Sequence, residues 1–191
     1  MRTTTALIII DMQKGMQTYP LERNNPQAEA NILELLNCAR EKNLNIVHVR
    51  HISRSEGSVF FPGQSGAVFQ DALIPLTQEH VVEKNVPDAF IHSNLERWLR
   101  VRGIDTLIIA GVSTENSIEA TARTAGNLGF TVYVVADACF TFCKTDYAGR
   151  KRTAQEVHDM ALANLQGEYA QILSVSETII AVRSDGFAHQ V

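Results

Sequence analysis

Cysteine, proline, positive charge and long apolar runs are all in short supply in this chain, and each shortage removes a class of protein. The three cysteines, Cys38, Cys139 and Cys143, are an odd number. They suit a reducing compartment rather than a disulfide scaffold. Cys139 and Cys143 have neither redox nor the usual zinc spacing, so all three are expected to be buried or incidental thiols. Lys and Arg total 17 against 21 Asp and Glu, a net charge of −4. That balance offers no electrostatic footprint for nucleic acid or an anionic membrane. No apolar run approaches the roughly 18 residues of a membrane span. The start, Met1 to Ala6, leads straight into a strand-like run without the features of a signal peptide. The expectation is a cytoplasmic protein. With 191 residues, 45% hydrophobic and 20% charged, the chain suits one globular domain spanning 1–191.

Two patterns alternate along it. Short β-branched runs occur at Ala6–Ile10, Asn45–Val49, Thr106–Ala110 and Thr131–Val135. Their continuous hydrophobicity predicts strands of a parallel sheet buried on both faces. Shorter candidates are His80–Glu83 and Ala170–Leu173. Between them lie helical patterns at Pro26–Glu41, Ser93–Arg102 (with Ser93 as N-cap), Asn116–Leu128 and Lys151–Leu165, and a short one after Ser176. The alternation predicts a three-layer α/β domain, a mostly parallel sheet with helices on both faces. Met12–Asn25 and Ser53–Ala72 are long, polar and irregular. They follow predicted strands, so they are expected to lie over the carboxyl edge of the sheet, where such folds bind ligands.

Three polar residues fall at that edge. Asp11 follows five apolar residues, and burial there would raise its pKa toward a useful general-base value. A turn or cap role is equally compatible with its position. Lys84 ends Val81-Val82-Glu83-Lys84, where it would hold Asp11 ionised and steady developing negative charge. Taken singly, such a lysine is more often solvated. Glu83 alternates to the other face and is the weaker candidate. Ser117 lies in Gly111-Val112-Ser113-Thr114-Glu115-Asn116-Ser117, a passage from strand through a glycine turn to a helix start. Unpaired N–H groups there favour negative charge. A hydroxyl at that place would attack a carbonyl if Asp11 removed its proton. The plainer reading is a first-turn serine satisfying the backbone.

At these residues the sequence resembles the isochorismatase-like superfamily of hydrolases, which includes nicotinamidases, N-carbamoylsarcosine amidohydrolases and isochorismatases. The resemblance rests on Leu7–Gln13, Val82–Phe90 and Gly111–Arg123, with support from Val135–Cys139 and His158–Leu165. It implies a six-stranded, mostly parallel sheet and a homodimer or homotetramer. It also implies Asp11 as base, Lys84 as its partner, a cis peptide at Val112-Ser113, and oxyanion donation by the Ser113 and Ser117 amides.

One departure separates the chain from the amidases of that superfamily, which have a cysteine where Ser117 stands. Serine is far less acidic than cysteine and needs a well-placed base. Three readings stay open: a working serine nucleophile, an isochorismatase-like acid–base cleavage by the aspartate, or a site weakened, altered or retained for binding. The activity expected is hydrolysis of a small polar molecule, at an amide or ureide C–N bond or an isochorismate-like ether. The alternative is a binding or assembly protein on the same scaffold.

Nicotinamidases of this kind carry an Asp-x-His-x-x-His metal site. The nearest residues here, His48 and His51, are three apart on a predicted strand and so point to opposite faces. Neither a catalytic zinc nor a cofactor is expected, and nicotinamidase activity itself is disfavoured. His51 is expected to line the pocket as a substrate contact, with Gln13, Phe60 and Phe90 beside it. His48, Arg123 and the mid-helix His158 are expected to be structural, His158 remote from the strand ends.

Overall fold

A computed structural model describes residues 4–184 and 186–187. Six parallel strands form the central sheet: β1 (Thr5–Ile10), β2 (Asn45–His51), β3 (His80–Lys84), β4 (Thr106–Val112), β5 (Thr131–Phe140) and β8 (Gln171–Leu173). Their spatial order is β3-β2-β1-β4-β5-β8. Two further short strands, β6 (Lys144–Thr145) and β7 (Lys151–Arg152), form a separate antiparallel hairpin that the hydrophobic pattern did not reveal. Successive connections run outward from β1 toward β3, then from β4 toward β8. The chain therefore reverses direction between β1 and β4, and a crevice opens at such a switch point beyond the strands' carboxyl ends.

Alternation along each strand feeds two cores. Ala6, Ile8 and Ile10 pack with helices α3 (Leu95–Arg100), α4 (Glu119–Asn127) and α5 (Ala154–Leu165). Leu7 and Ile9 pack with α2 (Ala28–Glu41) and α6 (Val175–Arg183). The α2 stripe of Ile32, Leu35, Leu36 and Ala39 is buried as its spacing predicts. Capping boxes start α5 (Thr153 with Glu156) and α6 (Ser174 with Glu177).

Helix ends differ in places from the sequence expectation. The N-cap position falls on Asn94 rather than Ser93, and α3 begins at Leu95. The Ser93 hydroxyl instead donates to the Ala89 carbonyl at 2.6 Å and accepts from the Leu95 N–H. The helix expected from Asn116 opens with a wider π-helical turn at Thr114–Ile118, in which the Ile118 N–H reaches the Ser113 carbonyl. The polar stretch after β1 contains a single helical turn, α1 (Lys14–Gln17).

Gly111 sets the distance across the switch point. Its φ is +132°, and a Cβ there would lie 2.1 Å from the Ile10 carbonyl oxygen. Only glycine lets β1 and β4 approach this closely while holding that backbone conformation. Among the described residues no helix is long and apolar enough to cross a membrane.

Candidate active site

Asp11, Lys84 and Ser117 come from three separate places in the chain and meet at the switch point. Asp11 is the first residue past β1, in the left-handed region at φ 55°. Asp tolerates that conformation better than most residues, and the turn takes its side chain out of the sheet ladder. Lys84 ends β3, and Ser117 sits in the π-helical turn after β4. The Lys84 ammonium donates to Asp11 Oδ2 at 2.6 Å and to Ser117 Oγ at 3.1 Å. The Ser117 hydroxyl donates to the same Oδ2 at 2.7 Å. All three residues are buried, with Lys84 only 3% exposed.

The two oxygens of Asp11 are treated differently. Oδ2 takes both bonds, while Oδ1 is buried with no protein partner. Burial raises the Asp11 pKa above the usual carboxylate range, against the pull of the Lys84 charge, its hydrogen bond and that of Ser117. Desolvation outweighs the ion pair because both side chains are almost wholly buried.

Asp11 and Ser117 line a cavity of about 420 Å³. Tyr19 and Leu21 from the loop after β1, Phe60 from the 53–72 loop and Phe142 form its apolar wall. Ser113, Asn116 and Ser117 bring the helix start to the opposite side. The Val112-Ser113 peptide is cis, as the resemblance implies. His51 also lines the cavity, and burial lowers its pKa, with the Lys84 charge acting in the same direction and Asp11 opposing. A larger depression of about 690 Å³ lies at the opposite end of the sheet, beside His80 and Trp98. Its Trp98 ring is already stacked on His80 and covered by Arg102, and the Asp11 cluster does not reach it.

Two expected substrate contacts take other roles. Gln13 is fully buried and is not part of the cavity wall, because its amide is bonded to the backbone of His51 and Ala67. Phe90 packs into the core with its ring 6.0 Å from Phe130, and Pro87 lines the cavity instead. Glu83 points away and pairs with Arg50. Arg123 pairs with Glu119 at 2.7 Å.

His158 is structural but not remote. Its Nδ1 lies 2.8 Å from the Thr114 hydroxyl, so it braces the turn that carries Ser117. His48 is buried and bonded to Glu79 at 2.9 Å, and it does not line the cavity. The pair His48 and His51 therefore does not fit an Asp-x-His-x-x-His metal site. Among the described residues, no group of three or more His, Cys, Asp or Glu is placed to hold a metal.

The rim of the cavity holds groups that sequence reasoning passed over. Glu115 and Lys144 form an ion pair at 2.7 Å there, and Glu115 also accepts from the Thr141 hydroxyl. Cys143, half-buried, lines the same space. The adjacency of Glu115 and Asn116 to Ser117 is the one signal that would have found part of this rim. By contrast, Cys38 is buried in the core, and burial pushes the Cys139 thiol up to about 12, which makes it inert.

A buried carboxylate, ammonium and hydroxyl beside a cavity at the switch point make a candidate active site in an α/β fold. Comparison with known proteins narrows the class. The isochorismatase domain model matches residues 5–177. The isochorismatase family protein YrdC of Bacillus subtilis is 35% identical, over 94% of this chain and 96% of the relative. A crystal structure assigned to an isochorismatase-family hydrolase from Chromobacterium violaceum superimposes with a TM-score of 0.92, at 43% identity and 96% coverage of both chains. More distant relatives include Nicotinamidase 3 of Arabidopsis thaliana, 27% identical over 88% of this chain and 83% of the relative, and maleamate amidohydrolase of Pseudomonas putida, 25% identical over 93% and 86%. The chain belongs to the isochorismatase family and is a hydrolase of that family.

Proposed function

We propose that this hydrolase cleaves a small polar metabolite at an amide- or ureide-type C–N bond or an isochorismate-like ether, with Asp11 moving the proton. The observation that carries this reading is the buried Oδ1 of Asp11, without a hydrogen-bond partner, in a residue that lines the cavity. An uncompensated carboxylate oxygen costs free energy in the resting protein. A proton or a substrate donor removes that cost. A carboxyl whose pKa is raised holds and releases a proton nearer neutral pH than an ordinary aspartate. Lys84 stabilises the ionised form when the proton leaves and keeps Oδ2 in place.

Ser117 has a role in either chemistry. For an amide, Asp11 takes the hydroxyl proton across the 2.7 Å contact as Oγ adds to the carbonyl carbon. The same proton then goes to the departing nitrogen, and water hydrolyses the resulting ester. Amides at the helix start, those of Ser113 and Ser117, support the oxyanion. For an enol ether, protonated Asp11 delivers its proton to the alkene carbon, and water adds to the cation and returns a proton to Asp11. The hemiketal then collapses to a ketone as the ether C–O bond breaks and the alcohol leaves; Ser117 only orients the carboxyl. The short Ser117–Asp11 contact favours the first route. Two more distant relatives, named as a nicotinamidase and an amidohydrolase, point to C–N bonds as well.

The test is a panel of small amides, ureides and isochorismate assayed with wild type, Asp11→Asn and Ser117→Ala. Turnover that Asp11→Asn abolishes supports the proposal, and loss with Ser117→Ala assigns the serine as nucleophile. An Asp11→Asn variant as active as wild type refutes it. Ligand binding without turnover across the panel would instead support a binding protein on this scaffold.

A further inference from the structure

Gln13 is fully buried, yet its amide is fully used. Nε2 donates to the carbonyls of His51 and Ala67, each at 2.9 Å, and Oε1 accepts from the His51 N–H at 2.8 Å. That is the pattern a neighbouring strand would present. Pairing between β1 and β2 ends at Ile10 and Val49, and the Asp11 N–H still reaches the Val49 carbonyl at 2.8 Å. The backbone then leaves the sheet at Asp11. In a parallel ladder the next donor and acceptor on that edge of β2 are two residues on, at His51. The Gln13 amide takes both, so it stands in for the strand that has turned away.

The same amide ties down the loop that crosses the cavity. Ala67 belongs to a short segment that runs back against the end of β1. The Lys14 N–H donates to the Val68 carbonyl at 2.9 Å, and the Gln70 N–H to the Met12 carbonyl at 3.1 Å. Upstream in this loop, Phe60 sets its ring edge-on to the His51 imidazole, 6.2 Å between centres. Among the described residues neither nitrogen of that imidazole has a hydrogen bond to protein. The ring is held through its backbone, which leaves its polar atoms to the cavity.

We propose that Gln13 is a positioning residue: through the His51 backbone and Ala67 it fixes the imidazole and the covering loop against the substrate, so its loss acts on substrate binding more than on the fold. This rests on the reading of the cavity as the substrate site, and it makes His51 a substrate contact whose aim depends on a residue outside the wall. Gln13→Glu is the sharpest variant, since it keeps the shape and the acceptor for His51 N–H but offers the two carbonyls one donor at most, and only when protonated. Gln13→Met removes all three bonds at similar volume.

Two measurements test it. With a substrate from the panel, Gln13→Glu and His51→Ala are each expected to raise KM about tenfold or more while kcat changes less than about threefold. The double variant is expected to be no worse than the poorer single one. Unchanged KM in Gln13→Glu, or fully additive effects, overturns the proposal. NMR of the imidazole, which needs no turnover, separates the two hypotheses. In Gln13→Met the His51 ring resonances are expected to move and its amide to exchange at least about tenfold faster. Resonances that stay put overturn the positioning role whatever the activity, whereas moved resonances in a protein that turns over nothing support positioning and reject the hydrolase reading. Failure of both Gln13 variants to fold also overturns it, by making Gln13 a determinant of the fold.

Discussion

Replacing Lys84 with methionine is the most informative perturbation of this molecule, because it separates the charge from the volume. The Lys84 and Asp11 side chains are 0% and 3% exposed, and their charged atoms lie 2.6 Å apart. Removing one member of a buried pair costs ~3–5 kcal/mol, because the other is left uncompensated. Here the carboxylate would keep one hydroxyl donor, Ser117, on Oδ2 and nothing on Oδ1. For a domain of this size, 1 kcal/mol moves Tm by roughly 2–4 °C, so a fall of about 6–20 °C is expected near pH 8. The pH dependence carries the diagnosis. Burial already raises the Asp11 pKa, and both Lys84 contributions oppose that rise, so the variant's carboxyl must shift further up. A raised carboxyl contributes stability that is present below its unfolded pKa of about 3.9 and lost as pH climbs through the folded value. The penalty of Lys84→Met should therefore shrink as pH falls from 8 toward 4.5. Thermal melts of both proteins across that range decide the matter. An equal Tm difference at both ends would refute charge loss as the cause and leave only packing.

Other perturbations are simpler. If the serine attacks, rapid quench of a slow amide substrate should trap an ester on Ser117, and Ser117→Ala should lose roughly 10³-fold or more in kcat; full activity in that variant would move the chemistry to Asp11 alone. Burial lowers the pKa of both His48 and His158. A depressed histidine contributes stability that is full above its unfolded pKa near 6.5 and lost as pH falls below it. Tm should therefore drop between pH 7 and pH 5.5, and His158→Gln should flatten part of that drop; an identical slope in the variant would contradict it. Gly111→Ala should cost more than ~4 kcal/mol, since a Cβ would press on backbone 2.1 Å away at a φ of +132°; a soluble variant melting near wild type would overturn this.

Much of this architecture could be read from the chain because its signals are local. The continuous apolar runs at Ala6–Ile10 and Thr106–Ala110 became β1 and β4, and the polar residues just after them came together beside the cavity. What escaped depends on segments meeting across the fold. Lys144 lies in a two-residue strand with no periodicity, held by Asp146 and Arg152 contacts on a hairpin, and nothing local aims it at Glu115. Cys143 reaches the cavity because its N–H is bonded to the Glu22 carbonyl, about 120 residues away in sequence. His158 seemed remote because a mid-helix position says nothing of which turn the helix packs on. Gln13 and Phe90 were placed correctly near the site and given the wrong partners, for side-chain alternation gives direction but not what waits there.

The register of β5 has a consequence of its own. Val134 pairs with Ile109, but Cys139 already pairs with Gly111, so β5 accommodates extra residues between two stretches that each follow β4. The first stretch shares its ladder with β8 and belongs to the frame. The second leads directly into Phe142, Cys143 and Lys144 at the cavity. Slack between them uncouples the two, so the wall can be rebuilt, lengthened or recharged without disturbing the strand pairs beneath.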